Sequence, residues 1–317
     1  MAHLASIRDA ILTSDEHFAA EITALNNSGV NGTVLATIDN DLLSIAVVAN
    51  DLTPDAPHVQ HIHGRFDEDG APMDSVTPTG ALDTDLDGFV EVAEGAAAYG
   101  DILLPIEDQS DGFNNDPVAD PDGTVAFYRD YDLANDDLFL NPLSGTQYTG
   151  DDLMPLPLRE YVIHGLQVDR EVGAGTEGSI DGTTGYKVTL PVGAGEIESV
   201  SRDEALDRLE DLITDANPDA VVLEGTESDD TFLLPAAPAT VFAGDGTDTV
   251  RTEAAIGDVD IARDEATGVV SITRGESGQT AALASVERVE FSDSTVLFGL
   301  SEQAETTYLL YAAGLDR

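Results

Sequence analysis

Short apolar segments separated by tight-turn sequences constrain the fold of this chain more than any other feature. Three of them follow one another near the start, at residues 18–25, 32–38 and 42–48. The first turn reads Asn-Asn-Ser-Gly at residues 26–29, and the second reads Asp-Asn-Asp at residues 39–41. Gly, Asn and Asp favour tight turns, and a short turn makes consecutive strands pair antiparallel. The three segments therefore predict a meander of antiparallel strands.

The same kind of pattern continues along most of the chain and predicts an all-β fold with few helices. Strand patterns recur at residues 160–168 and 186–190, and again in short stretches over residues 219–300. The intervening residues 66–157 are rich in Asp, Asn, Gly and Pro. An unstructured loop of that length is uncommon inside a compact domain, so we expect short strands and bound ions within it.

The clearest helix pattern lies at residues 201–213, and residues 1–16 predict a shorter helix. Ser201 and Glu204 have the spacing of a capping box. One face of the longer helix is apolar and carries Leu206, Leu209, Leu212 and Ile213. An Asn-Pro sequence follows, which is typical of a boundary between domains.

We therefore predict four regions. They are a β-sandwich with a metal site and a calcium loop at residues 1–200, a helix and linker at 201–218, a second β module at 219–300, and the first part of a helical segment at 301–317. The last segment ends without a helix-terminating signal, so we expect the natural protein to continue beyond it.

The charge of the chain excludes one class of partner and favours another. It has 62 acidic and 13 basic residues, a formal net charge of −49, and Lys187 as its only lysine. Nucleic-acid binding requires clustered Lys and Arg, so we expect no nucleic-acid partner. No stretch reaches the roughly 20 apolar residues of a membrane span, so we expect no membrane insertion. Divalent cations are the favoured partners, and a solvated surface adapted to salt is the alternative explanation.

The chain contains no cysteine, so disulfides and thiolate metal sites are excluded. Its N-terminus lacks the basic region and apolar run of a cleavable signal peptide. The protein is therefore expected either to be cytoplasmic or to carry an export signal elsewhere.

Three histidines predict a transition-metal site. His61 and His63 form a His-x-His sequence, and His164 lies in a second strand pattern. Side chains alternate along a strand, so His61 and His63 point to the same face. Three imidazoles suit copper, zinc, iron or nickel. A buried, hydrogen-bonded histidine trio that only stabilises the fold is the alternative.

Residues 83–94 predict a calcium site, because they match the twelve-residue pattern D-x-D-x-D-G-x5-E. The predicted ligands are the carboxylates of Asp83, Asp85, Asp87 and Glu94 and the backbone carbonyl of Phe89. The flanking sequence does not predict the two helices of an EF-hand. An Asp-rich hairpin turn is the alternative.

A second calcium signature lies in the C-terminal module. Residues 243–250 read Ala-Gly-Asp-Gly-Thr-Asp-Thr-Val and resemble the glycine-rich nonapeptide of RTX proteins. Asp230 lies eighteen residues before Asp248, which is two nonapeptide periods. This spacing predicts successive turns of a short β-roll with Asp230, Gly244, Gly246 and Asp248 around calcium. An ordinary glycine turn is the alternative.

Residues 284–293 are similar to the strands that follow RTX repeats in bacterial proteins exported by type I secretion. Residues 308–317 are similar to the start of a helical domain appended to such exoproteins. The resemblance covers about the last 95 residues and implies a secreted protein whose export signal lies beyond or near the end of this chain. It also implies that calcium stabilises the exported protein.

The N-terminal module resembles two related β-sandwich families over about residues 18–195, namely the Cu/Zn superoxide dismutases and the CHRD domains. The resemblance rests on two segments, which read His-Val-Gln-His-Ile-His-Gly at residues 58–64 and Arg-Glu-Tyr-Val-Ile-His at residues 159–164. The resemblance implies an antiparallel Greek-key sandwich. It also implies copper, or zinc, on His61, His63 and His164.

The same resemblance assigns residues that support the metal ligands, and it shows that part of the family's metal site is missing from this chain. It places His58 behind the ligands and Lys187 near the position of the arginine that guides superoxide. Arg159 flanks the histidines in the sequence and is predicted to support the centre, with an ion pair to Glu160 or another nearby carboxylate as the alternative. No histidine occurs between His63 and His164, so the zinc half of a superoxide dismutase site is missing.

Two functions follow as expectations. The first is a secreted, calcium-binding copper protein for which the resemblance implies superoxide dismutation. The second is a non-enzymatic extracellular matrix, surface or adhesion protein of the CHRD and RTX type, with structural ions and self-association. A zinc hydrolase is disfavoured because no HExxH sequence occurs.

Overall fold

The structure is a computed structural model that describes residues 4–106, 116–176, 178–264, 267–275 and 277–298. The described chain divides into two compact units, residues 7–218 and residues 219–298 together with residues 4–6. Strands hold 40% of the residues and helices 18%, which confirms the all-β class. None of the described helices is long and apolar enough to cross a membrane. The helical segment predicted at residues 301–317 lies outside the described residues.

The described part of the first unit contains ten strands and four α-helices. The strands are β1 (Glu16–Ala24), β2 (Asn31–Asp39), β3 (Leu42–Asn50), β4 (Gln60–Phe66), β5 (Pro72–Met73), β6 (Asp101–Pro105), β7 (Val125–Asp132), β8 (Glu160–Val168), β9 (Gly185–Glu196) and β10 (Glu198–Val200). The helices are α1 (Ile7–Thr13), α2 (Val92–Tyr99), α3 (Gly150–Leu153) and α4 (Arg202–Ala216).

These strands form an antiparallel sandwich, as predicted. The strand order is β5-β4-β8-β9-β1-β2-β3-β7, with β6 paired to β4 and β10 paired to β1. The first part of β1 pairs with β10 and its last two residues pair with β9, so β1 belongs to both layers. The chain crosses between the layers after β3, and β1 to β3 form the predicted meander.

The sandwich core forms because apolar residues alternate along strands of both layers. Val34 and Ile45 face it from the first layer, and Ile62, Ile163 and Val192 face it from the second. All five are at most 1% exposed. Burying a side chain of this size contributes about 1.5–3 kcal/mol, so these residues hold the two layers together.

Helix α4 packs on β2 and β3 and begins where the sequence predicts. The Ser201 hydroxyl accepts a hydrogen bond from the Glu204 amide at 3.2 Å, so Ser201 is the N-cap. The Glu204 carboxylate binds Arg208 at 3.1 Å. Only one of the two hydrogen bonds of the predicted capping box is therefore formed. The Glu204 carboxylate pairs with Arg208, one turn later, and does not return to the N-cap.

Replacing Ser201 by alanine is expected to lower the free energy of unfolding by about 1 kcal/mol. The substitution leaves the Glu204 amide without its side-chain acceptor, and N-cap losses are typically of this size. Urea unfolding of the full chain measures the change. Ser201→Asp should restore most of the stability, and an alanine variant as stable as the natural chain would contradict the assignment.

The second unit combines parallel and antiparallel strands. Its described strands are β11 (Val221–Glu224), β12 (Thr231–Leu233), β13 (Ala239–Phe242), β14 (Thr249–Arg251), β15 (Val259–Arg263), β16 (Val270–Arg274), β17 (Thr280–Ala284), β18 (Arg288–Glu290) and β19 (Thr295–Leu297). One sheet has the order β11-β13-β17-β16-β15 and the other β12-β14-β18-β19.

Parallel pairing makes this unit a short roll, as predicted. Strands β11, β13 and β17 are parallel to one another, and so are β12, β14 and β18. Val241 and Leu283 from one sheet pack with Val250 and Val289 from the other, and all four are fully buried. The antiparallel hairpins β15–β16 and β18–β19 extend the two sheets beyond the parallel strands.

Candidate metal centre

Two adjacent strands bring the three predicted histidines to one face of the sandwich. Strands β4 and β8 pair antiparallel, with His61 opposite Val162 and His63 opposite Glu160. Ile62 and Ile163 point into the core between the layers. Since side chains alternate, the histidines lie on the outer face of the second layer.

The three rings converge and are removed from solvent. His61 Nδ1 lies 3.4 Å from His164 Nε2. One ring nitrogen from each of His61, His63 and His164 lies within 4.8 Å of the other two. The residues are 6%, 1% and 2% exposed, respectively. Three nitrogens this close can bind a single metal ion.

Backbone carbonyls orient two of the rings. His63 Nδ1 lies 3.2 Å from the Gly100 oxygen, and His164 Nδ1 lies 2.8 Å from the Thr189 oxygen. A carbonyl only accepts, so each Nδ1 carries the proton and each Nε2 presents its lone pair. Such a bond on the far nitrogen is the usual support of a metal-binding histidine.

The buried Nε2 atom of His63 has no hydrogen-bond partner among the described residues. A buried polar atom without a partner is costly, and native proteins rarely leave one. A metal ion bound to this lone pair would satisfy it. The histidine centre therefore fits a metal ion better than it fits a self-contained hydrogen-bonded trio.

Burial keeps the histidines neutral at physiological pH. It lowers the pKa of His63 to about 3 and that of His164 to about 4. Burial, reinforced by the other two histidines, holds the pKa of His61 well below its ordinary value. Neutral imidazole is the form that binds a metal.

Helix α2 packs against the centre, and the residue that follows it provides the carbonyl that orients His63. The Tyr99 ring lies 4.4 Å from the His63 ring, and its hydroxyl donates to the Val92 oxygen at 3.1 Å. Gly100 follows with a φ of 87°, and a Cβ there would approach the Gly64 oxygen to 2.1 Å. Only glycine therefore allows this close approach of α2 to β4.

His58 lies against the main chain of His164. Its Nδ1 lies 2.8 Å from the backbone oxygen of His164, and its Nε2 lies 3.0 Å from that of Thr53. His58 is fully buried. It thus anchors the main chain of a ligand.

Arg159 and Lys187 have contacts that differ from their predicted roles. Arg159 is fully buried and donates to backbone oxygens of Asp152 and Leu153, which anchors the turn before β8. The Lys187 ammonium pairs with Asp181 at 2.8 Å. These contacts do not direct either cation at the histidines, because carbonyl oxygens hold the Arg159 guanidinium and a carboxylate neutralises the Lys187 ammonium.

Glu160 is a buried neighbour of the centre that the sequence did not single out. It is fully buried, and the Thr77 hydroxyl donates to it at 2.5 Å. Burial, with smaller contributions from Glu196 and Asp74, raises its pKa to about 8. Its position within a strand pattern was the only available signal, and a strand residue is not by itself a functional candidate.

The metal-free protein is expected to be most stable near pH 6.5. His63 and His164 have folded-state pKa values below the unfolded value of 6.5, so their stabilisation is lost as pH falls below 6.5. Glu160 has a raised pKa, so its stabilisation is lost as pH rises from 4.5 toward 8. Between pH 6.5 and 4.5 the effect of the two histidines is larger than the opposing effect of Glu160. The free energy of unfolding is therefore expected to fall by about 3 kcal/mol over this range.

Urea unfolding between pH 4.5 and 8 measures this dependence. Glu160→Gln should remove the decrease above pH 6.5 and steepen the loss of stability between pH 6.5 and 4.5, because Glu160 no longer offsets part of the histidine effect. A stability that is constant from pH 6.5 down to 4.5 would contradict the burial of neutral histidines.

The predicted calcium loop gathers three of its carboxylates. Asp83, Asp85 and Asp87 each offer an oxygen within 4.8 Å of the other two. Asp83 accepts from the Gly88 amide at 2.9 Å, and Asp87 accepts from the Phe89 amide at 2.9 Å. The loop is thus closed around its acidic side chains.

Glu94 is bonded to this loop but is not one of the three grouped carboxylates, and Glu91 was not among the predicted ligands. Glu94 accepts from the Thr84 amide at 2.6 Å and from the Glu91 amide at 3.0 Å, so it caps α2. Glu91 is 4% exposed and accepts from Ser179 and Ile180. Glu91 occupies the ninth position of the loop pattern, which often contributes to calcium binding, so the motif already contained a signal for it.

In the second unit, Asp230 and Asp248 lie at corresponding positions of successive turns. The Asp230 amide donates to the Asp248 carboxylate at 2.7 Å. Gly244 and Gly246 adopt φ values of 91° and 132°. A Cβ on Gly244 would approach the Thr226 oxygen to 2.3 Å, so this turn packs directly on the preceding one.

No model of a known protein family matches the chain. No curated protein matches it either. The resemblances to superoxide dismutases, CHRD domains and RTX proteins therefore stay predictions, and the metal centre is supported by its own geometry.

Proposed function

We propose that the first unit binds one copper ion on His61, His63 and His164, and that the protein is an extracellular, calcium-stabilised copper-binding protein. The observation that carries the proposal is the buried, unpartnered Nε2 of His63, directed toward two other imidazoles. The donor atoms that group at this centre are all imidazole nitrogens.

Copper is the metal that these donors favour most. Neutral imidazole suits copper, zinc, iron and nickel, and copper heads the affinity order for divalent ions. Non-haem iron sites usually add a carboxylate, and the group at this centre has none. Zinc is the competing ion, because it also binds three histidines.

The protein's own residues hold the rings for that ion. The carbonyls of Gly100 and Thr189 fix the orientation of His63 and His164, and His58 anchors the main chain of His164. Burial keeps water away from the three rings. Bound there, copper would supply one-electron redox chemistry, and superoxide dismutation is the activity that the family resemblance implies.

Electrostatics favours the non-enzymatic alternative. Superoxide is an anion and the chain carries a net charge of −49, so long-range electrostatic repulsion opposes its approach. Lys187 is paired with Asp181, and Arg159 is bonded to carbonyls. A matrix, surface or adhesion role with structural ions needs no anion to reach the centre.

Calcium binding is the second part of the proposal. Carboxylates and carbonyls are the ligands that calcium prefers. Asp83, Asp85 and Asp87 supply such oxygens in the first unit, and the turns with Asp230 and Asp248 supply them in the second. Calcium is abundant outside cells, which agrees with the proposed extracellular location.

Metal analysis tests the proposal. The full chain is folded in calcium with equal copper and zinc, dialysed and analysed by mass spectrometry. We expect one copper per chain. The absence of both copper and zinc would overturn the histidine centre, whereas stoichiometric zinc would overturn the choice of copper. Superoxide consumption by the copper-loaded protein then separates an enzyme from a binding protein.

A further inference from the structure

Glu287 continues the line of acidic residues formed by Asp230 and Asp248. Asp230 precedes β12, Asp248 precedes β14 and Glu287 precedes β18. These three strands are parallel, with Thr231 opposite Thr249 and Thr249 opposite Arg288. The three acidic residues therefore occupy equivalent positions on three successive turns.

Hydrogen bonds of one kind connect the three positions. The Asp230 amide donates to Asp248 Oδ1 at 2.7 Å, and the Asp248 amide donates to Glu287 Oε2 at 2.7 Å. In each case a carboxylate accepts from the backbone of the preceding turn. The ladder thus extends to a turn that lies outside the glycine-rich sequence.

The third turn has a shorter loop than the second. Phe242 is opposite Ala284, and Thr249 is opposite Arg288, so residues 243–248 correspond to residues 285–287. Three residues replace six, and the third loop has no glycine. The longer side chain of glutamate lets Glu287 reach the Asp248 amide from this shorter loop.

The Asp248 carboxylate has one oxygen that nothing in the described residues satisfies. Asp248 is fully buried, and its Oδ2 atom has no hydrogen-bond partner. A proton on Oδ2 would remove the charge but would leave a buried hydroxyl without an acceptor. A cation satisfies both the charge and the lone pairs.

The basic residues of the adjoining strands are occupied elsewhere. Arg251 pairs with Glu290 at 2.8 Å, and Arg288 approaches the same carboxylate at 3.7 Å. Neither ion pair involves Asp248. Among the described residues, no ion pair is formed by Asp248 or Glu287, which leaves their charge available to an external cation.

We propose that Asp248 Oδ2 and Glu287 bind a calcium ion on the acidic line formed by successive turns of the roll. This inference rests on the proposed calcium binding and adds a ligand, Glu287, that lies outside the glycine-rich motif. Oxygen donors alone select a hard divalent cation, and backbone carbonyls and water can complete its six to eight ligands. The ion would fasten the parallel turns to the antiparallel hairpin β18–β19.

Calcium binding by the full chain tests the assignment. Calcium per chain is counted by equilibrium dialysis and affinities are measured by calorimetry, for the natural chain and for Glu287→Gln. We expect Glu287→Gln to lose one calcium per chain, or to weaken one site at least tenfold. Glu290→Gln, three residues further along the chain and paired with Arg251, is the matched control and should stay within twofold of the natural chain.

Further variants separate a ligand from a merely structural residue. Asp248→Asn removes the unpartnered charge, so its melting temperature in chelator should equal or exceed that of the natural chain, while its stabilisation by calcium should shrink. If Glu287→Gln and Asp248→Asn both bind calcium like the natural chain, the Glu287 site is overturned while calcium binding stands. If the natural chain binds no calcium in either unit, the proposed calcium function fails as well.

Discussion

Replacing His61 by alanine is expected to weaken copper binding by more than 100-fold and to leave the sandwich folded. The substitution removes one of three nitrogens, and changes to residues that merely support a ligand already cost about 10–100-fold in metal affinity. His61 is the most exposed of the three histidines, at 6%, so its truncation disturbs packing least. The strand itself stays anchored by Ile62 in the core.

Competition with a copper chelator of known affinity measures the loss, and circular dichroism checks the fold. His17→Ala is the matched control, because His17 is also buried and its ring bonds the Ile11 oxygen at 2.8 Å, outside the centre. The control should bind copper like the natural chain. Equal copper affinity in the His61 and His17 variants would show that the histidine group is not the copper site.

Removing calcium from the acidic loop is expected to lower both the melting temperature and the copper affinity. Without a cation, the carboxylates of Asp83, Asp85 and Asp87 repel one another within 4.8 Å. Glu94 connects this loop to the first turn of α2 through Thr84 and Glu91. Loosening the loop therefore loosens the helix that begins there.

Helix α2 transmits this change to the histidine centre. Its last residue, Tyr99, packs on His63, and the next residue, Gly100, provides the carbonyl that orients the same ring. Glu91 also holds Ser179 and Ile180, in the segment that precedes β9 and its Thr189. Both oriented histidines thus depend on elements attached to the acidic loop.

The expected size follows from mass action. Calcium at 100 times its dissociation constant stabilises the folded state by about 2.7 kcal/mol. For a unit of this length, that corresponds to about 5–10 °C in Tm. Scanning calorimetry with and without chelator measures the shift, and copper titration under both conditions measures the coupling, which must be reciprocal.

Two aspartate variants locate the effect. Asp85→Asn should reproduce most of the change caused by the chelator, whereas Asp122→Asn, an exposed aspartate in a different turn, should not. A chelator that leaves the melting temperature of the natural chain unchanged would count against every calcium site. A chelator effect that persists undiminished in Asp85→Asn would move calcium away from the first loop.

Sequence patterns predicted the strands and the helix whose formation depends mainly on neighbouring residues. The meander at β1 to β3 follows from strand alternation and Asn-rich turns, and β8 begins and ends at the predicted residues. Helix α4 begins at the predicted N-cap, Ser201. His61 and His63 share a face because strand geometry requires it.

The roles of individual side chains depend on tertiary contacts that the sequence patterns do not indicate. Arg159 was assigned to the metal centre from its position before β8, yet its guanidinium binds carbonyls of the preceding turn. Glu94 was assigned to calcium from the motif, yet it caps α2. The partners of Arg159 are carbonyls that no pattern indicated, whereas Glu94 is bonded to Thr84 and Glu91 within the calcium pattern itself.

The amino-acid sequence alone was sufficient to establish a cysteine-free, acidic all-β protein with three histidines on two strands, because composition and periodicity are local properties. Only the folded chain revealed that Gly100 and Thr189 orient those histidines and that Glu287 joins Asp230 and Asp248. These partners are separated by many residues, and strand pairing and packing bring them together. Hydrogen bonds act over about 3 Å, so the chemistry of each site depends on that pairing.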